Sequence, residues 1–196
     1  MENADPLSRV AAAIELLPKG LQDHTQRVRG IAVEMAKRHH LDYNLVDLAA
    51  LAHDLCRLLT AQELLGEMNL RGLTVDPMER ELPVLLHGPV AALRLEQEFA
   101  IGMGEVLDAV RWHSTAHTDM SSIAKVVFLS DKLDPWKESR YPFHERIREL
   151  AYENLDAALL EFLEQETQRL LGAGHLVHPA SIEARHQLLS NQSRMD

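Results

Sequence analysis

Apolar residues recur at helical spacing along most of this chain, and no segment carries the strict alternation of a half-buried strand. Leu7 to Leu17 predicts a first helix, stopped by Pro18-Lys19-Gly20. Residues 21–40 predict a second, with Leu21, Val28, Ile31, Ala32 and Met35 on one stripe. Residues 44–59 predict a third, with Asn44 as its N-cap. Its leucines and alanines cover nearly the whole circumference, the pattern of a helix at the centre of a domain. Residues 60–84, interrupted by Gly66, Gly72, Pro77 and Pro83, read as short helical turns and loops. A fourth long helix is predicted from His87-Gly88-Pro89 to Phe99, with Pro in its first turn. Two more follow over 104–114 and 121–134, the latter ended by Pro135. Residues 144–171 read as one long amphipathic helix closed by Gly172-Ala173-Gly174. A last helix spans 179–189, and the final residues are expected to fray. The pattern predicts an all-α fold, an orthogonal helical bundle of about seven to nine helices. It forms one domain over 1–196, with a core at 21–135 and the helices of 144–189 packed on it.

Composition sharpens this picture. Hydrophobic residues make up 46% of the chain and aromatics only 5%, so Leu, Ala, Val and Ile must fill the core. That favours helix packing over a sandwich of strands. The formal charge of −10 repels a phosphate backbone and argues against nucleic acid as a partner. A small anionic substrate would need local cations or a metal to receive it. The single cysteine, Cys56, allows no intrachain disulfide and is expected to be an inert core thiol. Met1 to Ser8 is polar and acidic, unlike a signal peptide, and no run approaches the roughly 20 apolar residues of a membrane span. The chain reads as cytoplasmic, with no membrane partner.

The informative residues are polar ones on apolar faces. His24 lies one turn before Val28, in line with Leu21 and Ile31. His53 and Asp54 sit in the most apolar predicted helix, and Asp131 lies on the stripe Ala124, Val127, Phe128. Taken singly, each inward His also fits a core histidine bonded to a carbonyl, and an Asp near a helix end fits an Arg partner. Together, two buried acids and two buried imidazoles on three helices point to one cation that neutralises both acids. This donor set suits iron, manganese, cobalt or zinc better than magnesium. Four protein ligands at an octahedral ion leave two positions for water or phosphate oxygen, an open arrangement.

Other histidines and cations surround this set. His87 opens a helix, and His113 lies on the stripe of Val106 and Val110. Either can bind phosphate, protonate a leaving group or hold a second metal. Arg27 is three residues past His24, and Arg57 three past Asp54 on a helix read as buried; both could bind phosphate or lie on the surface. His39 and His40 read as structural at a helix end, His117, His144 and His186 as surface residues. His175 and His178 sit in a Gly-containing loop, where they read as surface or as the edge of a site.

His24-Thr25, then His53-Asp54, then the distant Asp131 resembles the H…HD…D pattern of the HD superfamily. Further segments are His87-Gly88-Pro89-Val90-Ala91-Ala92, Trp112-His113-Ser114-Thr115, Asp131-Lys132-Leu133-Asp134-Pro135 and Val177-His178-Pro179. With them the chain looks like the YqeK-type HD hydrolases, described as symmetrical diadenosine-tetraphosphatases, over roughly residues 7–189. The resemblance implies an HD-type bundle with an iron-type centre of one or two ions at His24, His53, Asp54 and Asp131. It implies nucleotide or phosphate contacts at Arg57, His87, His113 and Lys137 and in the loop carrying His178. The implied reaction converts diadenosine tetraphosphate to two ADP, with a small nucleotide as partner and a homodimer allowed. A general nucleotide or phosphomonoester phosphohydrolase and a non-catalytic nucleotide sensor remain the alternatives. The chain departs from the family at Leu21, usually basic, at Arg57, usually Lys, and at His178, usually Tyr. Trp136-Lys137 replaces a more polar pair.

Overall fold

The computed structural model describes residues 5–193 and contains, among them, eleven α-helices and no strand. They are α1 (Pro6–Ile14), α2 (Lys19–Arg38), α3 (Tyr43–Ala52), α4 (Ala61–Leu70), α5 (Pro77–Glu81), α6 (His87–Glu98), α7 (Gly104–Trp112), α8 (Ser122–Lys132), α9 (His144–Glu153), α10 (Leu155–Gly172) and α11 (Pro179–Gln192). Short 3₁₀ turns at Pro83–Leu86 and Pro135–Lys137 lead into α6 and follow α8. The central element is α3, packed against α1, α2, α7 and α8. Val46, Ala49, Ala50 and Ala52 are fully buried, and the small alanines let those neighbours approach closely. None of the described helices is long and apolar enough to cross a membrane.

The helix count exceeds the expected range for two local reasons. Residues 60–84 hold two real helices, each opened by a reciprocal capping box: Thr60 with Glu63, and Asp76 with Glu79. The long helix predicted over 144–171 is broken at Asn154, whose backbone is extended. The Asn154 Oδ1 accepts the backbone N–H of Asp156 and of Ala157, so the side chain ends one helix and caps the next.

The helix predicted over 44–59 starts one residue earlier, at Tyr43, and ends well short of the prediction, at Ala52. Its cap is Asp42, which accepts the Asn44 N–H at 2.9 Å, and not Asn44 itself. It stops at Ala52, where the His53 Nδ1–H donates to the Ala50 carbonyl at 2.7 Å. The chain then tightens into i to i+3 bonds, from Leu55 N–H to Ala52, Arg57 N–H to Asp54 and Leu59 N–H to Cys56. This turn brings Arg57 and Leu58 to the surface, although the helical reading buries both. The last helix runs on to Gln192, past the predicted end at 189 where fraying was expected to begin, and residues 194–196 lie outside those described.

Candidate metal centre

Three elements deliver the four expected ligands to one place. Helix α2 presents His24 beside the fully buried Thr25 and Val28. The turn after α3 presents His53 and Asp54, and the last turn of α8 presents Asp131. The Nε2 atoms of His24 and His53 are 3.3 Å apart. His24 Nε2 lies 3.0 Å from Asp131 Oδ1 and 3.6 Å from Asp54 Oδ2. His53 Nε2 lies 3.5 Å from Asp54 Oδ2 and 3.7 Å from Asp131 Oδ1. All four side chains are buried.

The hydrogen bonds on the far side of each ring show that these donors fit a metal. His53 Nδ1 is bound to the Ala50 carbonyl, and His24 Nδ1 lies 2.5 Å from Asp134 Oδ2. Both outer nitrogens therefore carry the proton, and both Nε2 lone pairs face inward together with two carboxylate oxygens. Such a cluster calls for positive charge at its centre. Burial by itself lowers the pKa of His24, but the hydrogen bonds to Asp131 and Asp134 outweigh it and raise it to about 9. Burial also opposes ionisation of Asp54, yet His53, His113 and His87 hold its carboxyl well below the usual range. Asp131 is likewise buried, and the charges of Lys132 and Lys137 hold its carboxyl well below the usual range.

A second group of donors adjoins the first. His87 Nδ1 donates to the Val84 carbonyl at 2.5 Å and His113 Nδ1 to the Val110 carbonyl at 2.7 Å. Their Nε2 atoms face each other at 2.9 Å, with Ser114 Oγ 3.2 Å from His113 Nε2. Burial pushes the His113 pKa down to about 3, so this imidazole is neutral with its lone pair available. Asp54 joins the groups: its Oδ2 faces His24 and His53, while its Oδ1 lies 3.0 Å from His87 Nε2 and 3.6 Å from His113 Nε2. His53, Asp54 and His113 also form a ligand-like triad of their own. Gly88 permits this geometry. A Cβ there would lie 2.7 Å from the Arg111 carbonyl oxygen and 2.9 Å from that of Val110, so only glycine lets α6 meet the end of α7.

Two residues without an assigned role in the sequence, Asp134 and Lys132, hold the candidate ligands. Asp134 is buried, holds His24, and takes Arg27 through Nε at 2.8 Å and Nη2 at 2.9 Å. Lys132 is buried and donates to Asp131 Oδ2 at 2.8 Å and to the His113 carbonyl at 3.0 Å, joining α8 to the end of α7. The sequence signal for Asp134 was its place in the Asp131–Pro135 segment; for Lys132 it was a charge inside an apolar helix.

The other expected residues divide. Lys137 bonds Asp131 Oδ1 directly, and Arg27 reaches the cluster through Asp134. Arg57 is exposed on the turn after Asp54. His178 is buried as the N-cap of α11, its Nδ1 accepting the Ala180 N–H and its Nε2 3.7 Å from Glu79 Oε1. Neither contact belongs to the ligand cluster. His144, read as a surface residue, is buried, because α9 starts there and turns its ring inward.

The model for the HD domain family matches residues 21–136, which include all six histidines and aspartates of the two donor groups. Two curated relatives are each 28% identical, and each is described as a symmetrical bis(5'-nucleosyl)-tetraphosphatase. The one from Halalkalibacterium halodurans matches over 86% of this chain and 89% of its own. The one from Staphylococcus aureus matches over 92% of both. A crystal structure from Clostridium acetobutylicum, described as a predicted HD superfamily hydrolase involved in NAD metabolism, superposes with a TM-score of 0.88. It is 24% identical, over 94% of this chain and 97% of that one, and agrees in fold.

Proposed function

The chain belongs to the HD domain family, and from that premise we propose that it is a metal-dependent hydrolase cleaving dinucleoside tetraphosphates at the central bridge, diadenosine tetraphosphate giving two ADP. The observation that carries this reading is the buried convergence of two imidazole lone pairs and two carboxylates on one point. The activity named for the Halalkalibacterium and Staphylococcus relatives supports the substrate class.

His24, His53, Asp54 and Asp131 would hold the first ion, and His87, His113 and Asp54 are the donors for a second. When bound, a divalent metal of the iron, manganese, cobalt or zinc kind supplies a Lewis acid and a water acidic enough to act near neutral pH. The protein supplies the rest. Asp134 fixes the tautomer of His24, and the Ala50 carbonyl fixes that of His53. His87 and His113 turn their Nε2 atoms toward each other and toward Asp54, and burial keeps His113 neutral, so its lone pair is available as a ligand. Lys137 and Arg27 put fixed positive charge on the Asp131 and Asp134 side, where phosphoryl oxygens gain charge during cleavage. Arg57, exposed three residues past Asp54, is the candidate for the outer phosphates.

The test is chromatography of early products from diadenosine tetraphosphate, using protein reconstituted with each metal in turn. ADP alone is expected. ATP with AMP would reject cleavage at the central bridge, and no turnover with any metal would favour a nucleotide-binding sensor. Asp54→Ala is expected to lose both metal and turnover; full metal content in that variant would overturn the ligand assignment.

A further inference from the structure

Trp136 is 72% exposed, an unusual setting for the largest apolar side chain. Its surroundings are nonetheless built. One face of the indole is covered by the Arg27 guanidinium, 4.1 Å from the ring centroid. Arg27 is itself pinned through Nε and Nη2 to Asp134. The same carboxylate holds His24 Nδ1 and accepts the Trp136 backbone N–H at 3.1 Å. The next residue, Lys137, bonds Asp131. A single carboxylate thus ties both ring and backbone of Trp136 to one candidate metal ligand, and its chain neighbour touches another.

We infer that Trp136 is the nucleobase platform of this site, its uncovered face stacking a purine whose phosphates extend toward the ligand cluster. The inference rests on the proposed nucleotide substrate and specifies what binds its apolar end. Every base offers a π face to an aromatic side chain, so stacking suits a flat purine without a preformed slot. The formal charge of −10 works against any polyphosphate, and stacking adds affinity that does not depend on charge. Arg27 behind the ring holds it in one orientation before the base arrives, which lowers the ordering cost of binding.

The chain has two tryptophans, and Trp112 stacks on His117 at 4.2 Å, so Trp112→Phe leaves Trp136 as the sole indole reporter. In that variant, reconstituted with manganese, ADP is expected to quench the emission and inorganic triphosphate to leave it. By calorimetry, Trp136→Ala should weaken ADP about tenfold and inorganic triphosphate by less than about twofold, with Trp136→Phe restoring most of the ADP affinity. Equal losses for both probes, or no quenching by ADP, would overturn the platform. If ADP quenches but diadenosine tetraphosphate is not cut, the substrate reading falls and the platform stands. If the tetraphosphate is cut to ADP while Trp136→Ala keeps full ADP affinity, the platform falls alone.

Discussion

Asp134 orients His24: its Oδ2 lies 2.5 Å from the Nδ1 of that ring, and the carboxylate is in turn gripped by both arms of Arg27. A carboxylate behind a ligating imidazole fixes its tautomer and raises its basicity, and losing such a partner lowers metal affinity roughly 10- to 100-fold. Asp134→Ala is therefore expected to keep the fold and to bind manganese or iron more weakly by that factor. Competition against a chelator of known affinity measures it, and an unchanged affinity would remove Asp134 from the support of the centre.

Gly88 tests the approach of α6 to the end of α7. An added Cβ would meet two backbone carbonyl oxygens, which cannot turn aside as a flexible side chain would. Gly88→Ala should cost about 1–3 kcal/mol, the usual range for overpacking a filled site. It should also spread His87 from His113 and lower turnover. Urea unfolding with parallel activity reads both effects, and wild-type values in both would show that the helices separate at no cost.

Lys137 and Arg57 should differ. Lys137 bonds a candidate ligand and is half-buried, whereas Arg57 is exposed. Lys137→Ala is expected to cost about 2–4 kcal/mol of transition-state stabilisation if its charge acts on the transferring phosphoryl group. Arg57→Ala should cost under about 1 kcal/mol, since an exposed charge is screened by water and salt. Steady-state kcat/KM for the two variants decides between them, and a larger loss at Arg57 would reverse the assignment.

Burial pushes the Cys56 thiol up to about 12 from an ordinary 9.0. The thiolate is the reactive form, so folded protein at pH 8 should resist iodoacetamide while urea-unfolded protein reacts at once. The folded pKa is the higher one, so stability from this group is full below pH 9. It falls as pH rises from 9 toward 12, where only the unfolded chain ionises. Unfolding curves in that window check the sign: Cys56→Ala should remove part of the alkaline loss, and an identical pH slope in both proteins would reject it.

The helical class was legible in the amino-acid order, and so were the four candidate ligands that the fold brings together. Periodicity records which face of a helix is buried, and His24 and Asp131 are polar residues on such faces, with His53-Asp54 in the most apolar run. Helix ends were less legible, because Asn154 and His53 act through local side-chain bonds that compete with a continuing apolar pattern. The arrangement around the ligands was decided by tertiary structure alone. Asp134 meets His24 across 110 residues, and Asp54 turns one oxygen to each of two histidine pairs. Gly88 matters because another helix ends against it, and Arg57 faces water because its helix closes early. Burial of a face is a property of neighbouring residues. Which polar atom meets which depends on how distant helices dock, and that is set by the packing of the whole core.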